Sequence, residues 1–528
     1  MNEDTLALLP DSDAAPAPAP AGRERLAALD VGSNSIRLLV AEYDPAAGLT
    51  VVDEVKDQPR LAHGVAATGY LDTAAIERAM AGLARMRVVC QRRGVRRIAA
   101  VATSAVREAA NGEAFVQRVR DELGIPLRVI DAETEAALSW RSVAHHFRMD
   151  GARTIVADIG GGSLELIGAV DGLVESTISL PLGAVRLTET HLSRGKDPRR
   201  EVETLRRHVR KVLRKGFPWR EWTNPVFVGS GGTFTNLGRM AVARRGLPVP
   251  DSIHGTRVTT AEVEQLLEWL ATRTPEQRRH VLGLNMERAD IIVAGLAVTA
   301  ELLDLADARE LTVSAFGLRE GLLLEMAGAT PQLPSDPLRL LREFVERCQG
   351  DRRHVEHVRH LALQLFDELG GLLECEPGDR ALLEAAGLLH DVGQLVSYRR
   401  HHRHSFQLIM HADRLPFAPR DRMLVALLSR YHRKSGPRKK HAEFAALSRE
   451  DQVLVRRLAA LLRVADGLDR GHTGVVESVR VHVNGDRVLL QAVPHTPEAD
   501  LSLECWGATR KSDLLEQLLD RNVVIETA

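Results

Sequence analysis

The sequence predicts an α/β protein built from two similar lobes, followed by an all-helical domain and a small α+β segment. Three observations carry this reading: an internal duplication, alternation of β-rich and helical stretches around it, and a change of character near Gly328. The duplicated stretches are LAALDVGSNSIRLLVAEYD (residues 26–44) and TIVADIGGGSLELIGAVDG (residues 154–172), which align without a gap as D-[V/I]-G-x-x-S-[I/L]-x-L. The alignment pairs Asp30 with Asp158, Gly32 with Gly160, Ser35 with Ser163, and Arg37 with Glu165.

At 528 residues the chain exceeds what one hydrophobic core organises, so several domains are expected. Residues 1–24, acidic and then Ala/Pro-rich with no basic region leading into an apolar run, read as a disordered tail rather than a signal peptide. Lobe I (25–137) opens with the first apolar–turn–apolar stretch. A helical pattern over Asp72–Gly94 and a strand in RRIAAVATSAV follow. Lobe II (138–328) opens with the second copy and adds a third glycine turn between strand and helix in PVFVGSGGTFTNLGRM (225–240). IIVAGLAVTAELL is closed by Glu301, too short to span a bilayer, and reads as a core helix. A last strand and turn appear in ELTVSAFGLREGLLLEM, and the Pro-bearing GATPQLPSDP then links to a helical domain over 329–472. Residues 473–528 read as two strands about an Asn-Gly turn, a helix and a final strand.

Lys and Arg (70) balance Asp and Glu (71) to a net charge of −1, so a polyanion would have to be met by local clusters. Two exist, the basic helix Arg199–Lys215 and the basic loop Arg430–His441, although a solvated helix face is the commoner use of such residues. The four cysteines show no CxxC or regular spacing, which fits a reducing cytoplasm and argues against a zinc knuckle or a disulfide framework. Neither a nucleic-acid nor a membrane partner is expected.

Turns of small residues expose successive backbone N–H groups, and such concave nests hold phosphate oxygens. Gly32, Ser33, Asn34 and Ser35, and Gly160, Gly161, Gly162 and Ser163, suit that task, as do Gly229, Ser230, Gly231, Gly232 and Thr233 of the third turn. Asp30 and Asp158 repel phosphate and make sense there only through a divalent cation or its waters.

With DVGSNSIRLL, ATSAVREAAN, VIDAETEAAL, DIGGGSLEL, GSGGTF, ERADIIVAGLAV and SAFGLREGLL in order over residues 25–328, the sequence resembles the exopolyphosphatase and guanosine pentaphosphate phosphatase family. The lobes of that family share the fold of sugar kinases, actin and heat-shock ATPases. The resemblance implies hydrolysis of a terminal phosphoanhydride, of inorganic polyphosphate or guanosine pentaphosphate, in the cytoplasm and as a homodimer. It implies Glu135 as the base that deprotonates water, with Glu133 as the competing acid of the same motif, and Arg107 as the cation on the scissile phosphate. It further implies Asp158 and Glu165 as holders of Mg²⁺ or Mn²⁺, and a structural role for Arg319.

In the helical part, HVEHVRHLA, LLEAAGLLHDVG, HHRHS, SRYHRK and LLRVADGLDR resemble the HD-domain phosphohydrolases. That resemblance implies one divalent cation on His354, His390, Asp391 and Asp466, with His404 and His432 as further contacts. A binding domain without turnover, a second phosphohydrolase and a metal-dependent regulatory module are all open. Guanosine pentaphosphate as the main substrate, and an alarmone or polyphosphate sensor, are the alternative functions.

Overall fold

The computed structural model describes residues 7–8, 24–44, 48–147, 153–192, 197–328, 337–412 and 415–528. Of the tail predicted over 1–24, Ala7–Leu8 form a short strand antiparallel to Arg97–Ala102 and Glu24 begins the next strand. The rest of the tail, and the linker residues 329–336, lie outside the described residues.

The chain forms two compact units, one of residues 1–241 and 253–334, the other of residues 242–252 and 335–528. The first unit contains two sheets that repeat one topology. In the first sheet, Glu24–Val31 runs parallel to Arg97–Ala102 and antiparallel to Ile36–Asp44, which pairs in turn with Gly48–Asp57. In the second, Arg153–Ile159 runs parallel to Val226–Ser230 and antiparallel to Leu164–Val170, which pairs with Leu173–Leu180. The sequence duplication is therefore a duplication of a hairpin with the same neighbours on both sides. The innermost strands read as apolar runs because both faces are covered; Leu26 to Leu29 and Ile155 to Ala157 are fully buried.

Local signals set the helices. Asp72 caps Thr73–Arg92 by accepting from the Ala75 N–H (2.9 Å), and Gly94, at φ 63°, turns the chain into the next strand. Ile292–Leu305 is buried on every side from Ile292 to Leu303, as expected of a core helix.

Two elements tie the lobes together. Ala136 and Val143 of the helix Ala132–His146 pack with Val156, Ile167 and Val228 of the second sheet, while its Leu138 packs with Leu26, Ala28 and Val101 of the first. The helix Leu318–Met326, which the sequence placed in the second lobe, returns to the first sheet: Leu322, Leu323 and Met326 join that same cluster. Gly321 permits the crossing, since a Cβ there would stand 1.9 Å from the Leu138 carbonyl oxygen.

The second unit has one core. Val476, Val488, Leu490 and Leu515, from the segment read as a separate cap, share it with Leu361 and Leu461 of the helices. The cap's three strands are Val476–Asn484, Arg487–Pro494 and, parallel to the latter, Asn522–Thr527. Among the described residues no helix is long and apolar enough to cross a membrane.

Candidate active site

The two duplicated turns close alike. The Gly32 N–H donates to the Ser35 carbonyl (3.1 Å) and the Gly160 N–H to the Ser163 carbonyl (3.0 Å). Strand register sets Asp30 opposite Arg37 and Asp158 opposite Glu165, so each turn carries its acid at the mouth of its hairpin. Neighbouring backbone occupies the turn carbonyls: Ala62 N–H donates to Ser33 (2.8 Å), Ala184 N–H to Gly160 (3.0 Å) and Val185 N–H to Gly161 (2.9 Å). The N–H edge is what each turn then offers an anion.

The turns meet across one cleft. Its walls include Asp30, Gly32 to Ser35, Arg37, Glu135, Asp158, Gly160 to Ser163, Glu165, Ser230 to Gly232 and Arg319. Gly229 and Thr233 are not on its wall. Gly229 lies under the Phe234 ring, and the Thr233 side chain packs against Gly295 of the core helix. Thr235, two residues on, takes a wall position instead. Gly231, at φ 89°, brings the third turn against Asp158, whose Oδ1 would stand 2.5 Å from a Cβ there.

Glu135 faces the cleft, whereas Glu133 is exposed, which separates the two acids of the motif. Burial, and then the charge of Glu165, push Glu135 up to about 9. Burial lifts Glu165 to about 7 and Asp30 to about 6, in the latter case against the pull of Arg319 and Arg37. Asp158 is raised by burial, and hydrogen bonds from Ser139 (3.0 Å) and Ser230 (3.4 Å) moderate the effect. Asp30 Oδ1 is buried with no hydrogen-bond partner. Five acids on the wall (Asp30, Glu135, Asp158, Glu165, Glu320) outnumber three arginines (Arg37, Arg288, Arg319). Each of these carboxyls that ionises repels a phosphate chain unless a cation joins it, and buried carboxylates with an orphaned oxygen are hard-cation ligands.

Arg107 departs from the role its motif implies. Its Nη1 donates to the Ile130 carbonyl (2.7 Å) and to Glu135 Oε2 (3.1 Å), so it holds the acid instead of lining the wall. Arg288 went unread in the sequence. It lies half-buried against Gly232, where a Cβ would stand 1.9 Å from its Nη2, and desolvation of its head group holds it down to about 10. Arg319 is at once structural, bonded to Glu54 (2.8 Å), and part of the wall. The basic helix, now Pro198–Gly216, buries Val202, Leu205, Val209 and Leu213. Its Arg206 and Arg210 both bind the buried Glu301, and Arg206 also binds Glu264 (2.7 Å), so part of the charge read as a polyanion guide is structural.

The second constellation lies in the helical unit. His354 Nε2 stands 3.3 Å from His390 Nε2, 3.7 Å from Asp391 Oδ2 and 3.6 Å from Asp466 Oδ1, so the four residues converge. Burial works against a charged His354, but hydrogen bonds to Asp466 and Asp469 outweigh it and raise the imidazole to about 10. Burial would lift Asp391 too, yet His390, His401 and His432 hold it far below the carboxylate range. His432 joins this cluster; His404 is only half-buried, and the sequence missed His401, which takes the inner position. The C-terminal segment contributes as well, through an ion pair of Lys511 with Asp466.

Duplicated sheets whose acid-bearing turns face one cleft define an actin-like α/β protein. The Ppx/GppA phosphatase family matches residues 39–330, and Ppx/GppA phosphatase domain III matches residues 339–506. The chain belongs to the Ppx/GppA phosphatase family. It is 29% identical over 507 residues to the guanosine-5'-triphosphate,3'-diphosphate pyrophosphatase of Vibrio vulnificus, covering 92% of this chain and 96% of that one. Among solved structures, the Aquifex aeolicus Ppx/GppA family member (30% identity, TM-score 0.50) covers 58% of this chain and 98% of its own. An exopolyphosphatase from Cytophaga hutchinsonii (25% identity, TM-score 0.54) covers 58% of this chain and 99% of its own.

Proposed function

We propose that the cleft removes terminal orthophosphate from inorganic polyphosphate, and that guanosine pentaphosphate, which ends in the same phosphoanhydride, enters the same site. The observation that carries this is the mostly buried Glu135, held by Arg107 and lining one cleft with Asp158, Glu165 and two small-residue turns. Water attacks the terminal phosphorus in line with the leaving oxygen, and Glu135 orients that water and takes its proton. Arg107 positions the acid. The N–H groups of residues 33–35 and 161–163 hold the equatorial oxygens, and Arg37 and Arg288 offset charge on the chain. Mg²⁺ or Mn²⁺, held by Asp158 and Glu165, would supply charge neutralisation and polarise phosphate oxygens.

A second reading makes guanosine pentaphosphate the main substrate. It is favoured by likeness to the Vibrio vulnificus enzyme over nearly its whole length, whereas the exopolyphosphatase likeness covers 58% of the chain. Orthophosphate release from both compounds, with Mg²⁺ or Mn²⁺ present, tests these readings. Glu135→Ala is expected to abolish release, and the pair His390→Ala/Asp391→Ala to leave most of it. The reverse pattern would move the chemistry to the helical unit. The ratio of kcat/KM for the two substrates decides which is the main one.

A further inference from the structure

The geometry points to a two-metal centre in the helical unit, in which Asp391 bridges one cation held with His354, His390 and Asp466 to a second held by His401 and His432. The four histidines show why one cation is too few. Each turns Nδ1 to an oxygen: His354 to Asp469 Oδ2 (2.8 Å), His390 to the Gly387 carbonyl (2.8 Å), His401 to the Tyr398 carbonyl (3.0 Å) and His432 to the Ser429 carbonyl (2.6 Å). A carbonyl or carboxylate can only accept, so each Nδ1 keeps a proton and Nε2 is the nitrogen left for a metal; on His354 the metal would take the place of a second proton.

Those lone pairs meet in two places. His354 and His390 bring their Nε2 atoms to 3.3 Å, and His401 and His432 to 3.1 Å. Nitrogens so close need positive charge between them, a proton or a cation, and each place has a carboxylate oxygen to complete a cation's set. Asp391 sends Oδ2 toward His354 (3.7 Å) and Oδ1 toward His401 (2.9 Å) and His432 (3.5 Å). Asp466 Oδ1 closes the first set at 3.6 Å from His354 and 3.8 Å from His390. With metal–ligand bonds of about 2.1 Å, neighbouring ligand atoms stand about 3.0 Å apart in an octahedron and about 3.4 Å in a tetrahedron. Both sets fall around those values. Imidazole with carboxylate suits Mn²⁺, Fe²⁺ or Zn²⁺.

The charge count names the ligand. Two dications against Asp391, Asp466 and Asp469, the last bonded to His354, leave a surplus of positive charge, and Lys511 pairs with Asp466 beside them. Arg433 Nη1 lies 3.2 Å from His401 Nδ1 and 3.3 Å from Nε2. Near-equal distances to both nitrogens place it over the ring face, so the Nε2 lone pair stays free for a metal. A phosphate group bridging the two cations, with Arg433 on an outer oxygen, fits this setting.

The test loads the full chain with Mn²⁺ and follows metal content and electron paramagnetic resonance. Wild type is expected to hold one more Mn²⁺ per chain than His401→Ala/His432→Ala, and two more than His390→Ala/Asp391→Ala; taking differences cancels any Mn²⁺ in the first unit's cleft. The exchange-coupled signal of adjacent ions should collapse to the single-ion spectrum in the His401/His432 variant. His401→Asn, with circular dichroism matching wild type, guards against loss through misfolding. Inorganic phosphate should perturb the coupled signal, with the required concentration rising about tenfold in Arg433→Ala at unchanged metal content. Equal metal content in wild type and the His401/His432 variant, or an uncoupled wild-type signal, would overturn the two-metal centre. A phosphate response indifferent to Arg433 would overturn the assigned ligand.

Discussion

Replacing Glu135 with glutamine separates catalysis from stability in a way the structure makes quantitative. The amide keeps the shape of the side chain, and its oxygen can still accept from Arg107 Nη1, which lies 3.1 Å from Glu135 Oε2. What is lost is the capacity to take a proton. A positioned base contributes roughly 10²–10⁴-fold, about 2.7–5.5 kcal/mol of barrier, so kcat should fall by that factor while KM changes little. Stability should respond differently. A carboxyl pushed up to about 9 is almost wholly protonated at pH 7 in the cation-free protein. A neutral amide therefore replaces a group that is already neutral, and the unfolding free energy should move by no more than about 1 kcal/mol. Steady-state orthophosphate release and a cation-free denaturant titration provide the two readings. A glutamine variant within threefold of wild-type kcat, or one whose activity loss tracks a large loss of stability, would refute the assignment of Glu135 as the base.

Two further outcomes follow from the cleft. Burial raises Asp30, Glu165 and Glu135, so the folded chain keeps protons that the unfolded chain sheds above the usual carboxylate value of 4.5. Cation-free stability should then fall as pH rises from about 4.5 towards 9; saturating Mg²⁺ should reverse the loss near pH 8 and do little at pH 5, and the acid limb of kcat/KM should move to lower pH, as calorimetry and rate profiles can check. Gly183→Ala should damage the second turn by contact alone, because its φ of −69° suits any residue while a Cβ would stand 2.3 Å from Gly162 C and 2.4 Å from Gly161 C; overpacking of about 1–3 kcal/mol and a raised KM are expected in melts and kinetics, and a variant with unchanged KM would contradict the role of residues 160–163.

The legible part of the site was the part written twice. A repeated D-x-G turn fixes both a hairpin register and an acid at its mouth, so aligning residues 26–44 with 154–172 foretold that Asp30 and Asp158 would face one cleft. Arg288 had no such signal, being a single arginine in a short 3₁₀ turn that reaches Gly232 only through the tertiary fold. The basic helix misled for the same reason: what neutralises Arg206 and Arg210 is Glu301, on a helix more than ninety residues away. In HHRHS, the inward histidine depends on where the helix begins. The helix starts at His401 after a 3₁₀ turn, and its phase buries His401 and leaves His404 half-exposed. Strand and helix patterns likewise could not show that Leu318–Met326 returns to the first sheet, since both sheets offer apolar faces to it.

The most direct measurement of the central claim is hydrolysis of polyphosphate and guanosine pentaphosphate in ¹⁸O-labelled water, with the products resolved by mass spectrometry. Attack at the terminal phosphorus in the Glu135 cleft predicts one ¹⁸O in each released orthophosphate, none in the remaining chain or nucleotide, and loss of labelled product in Glu135→Gln. Label in the remaining chain, or pyrophosphate as the first product, would contradict it.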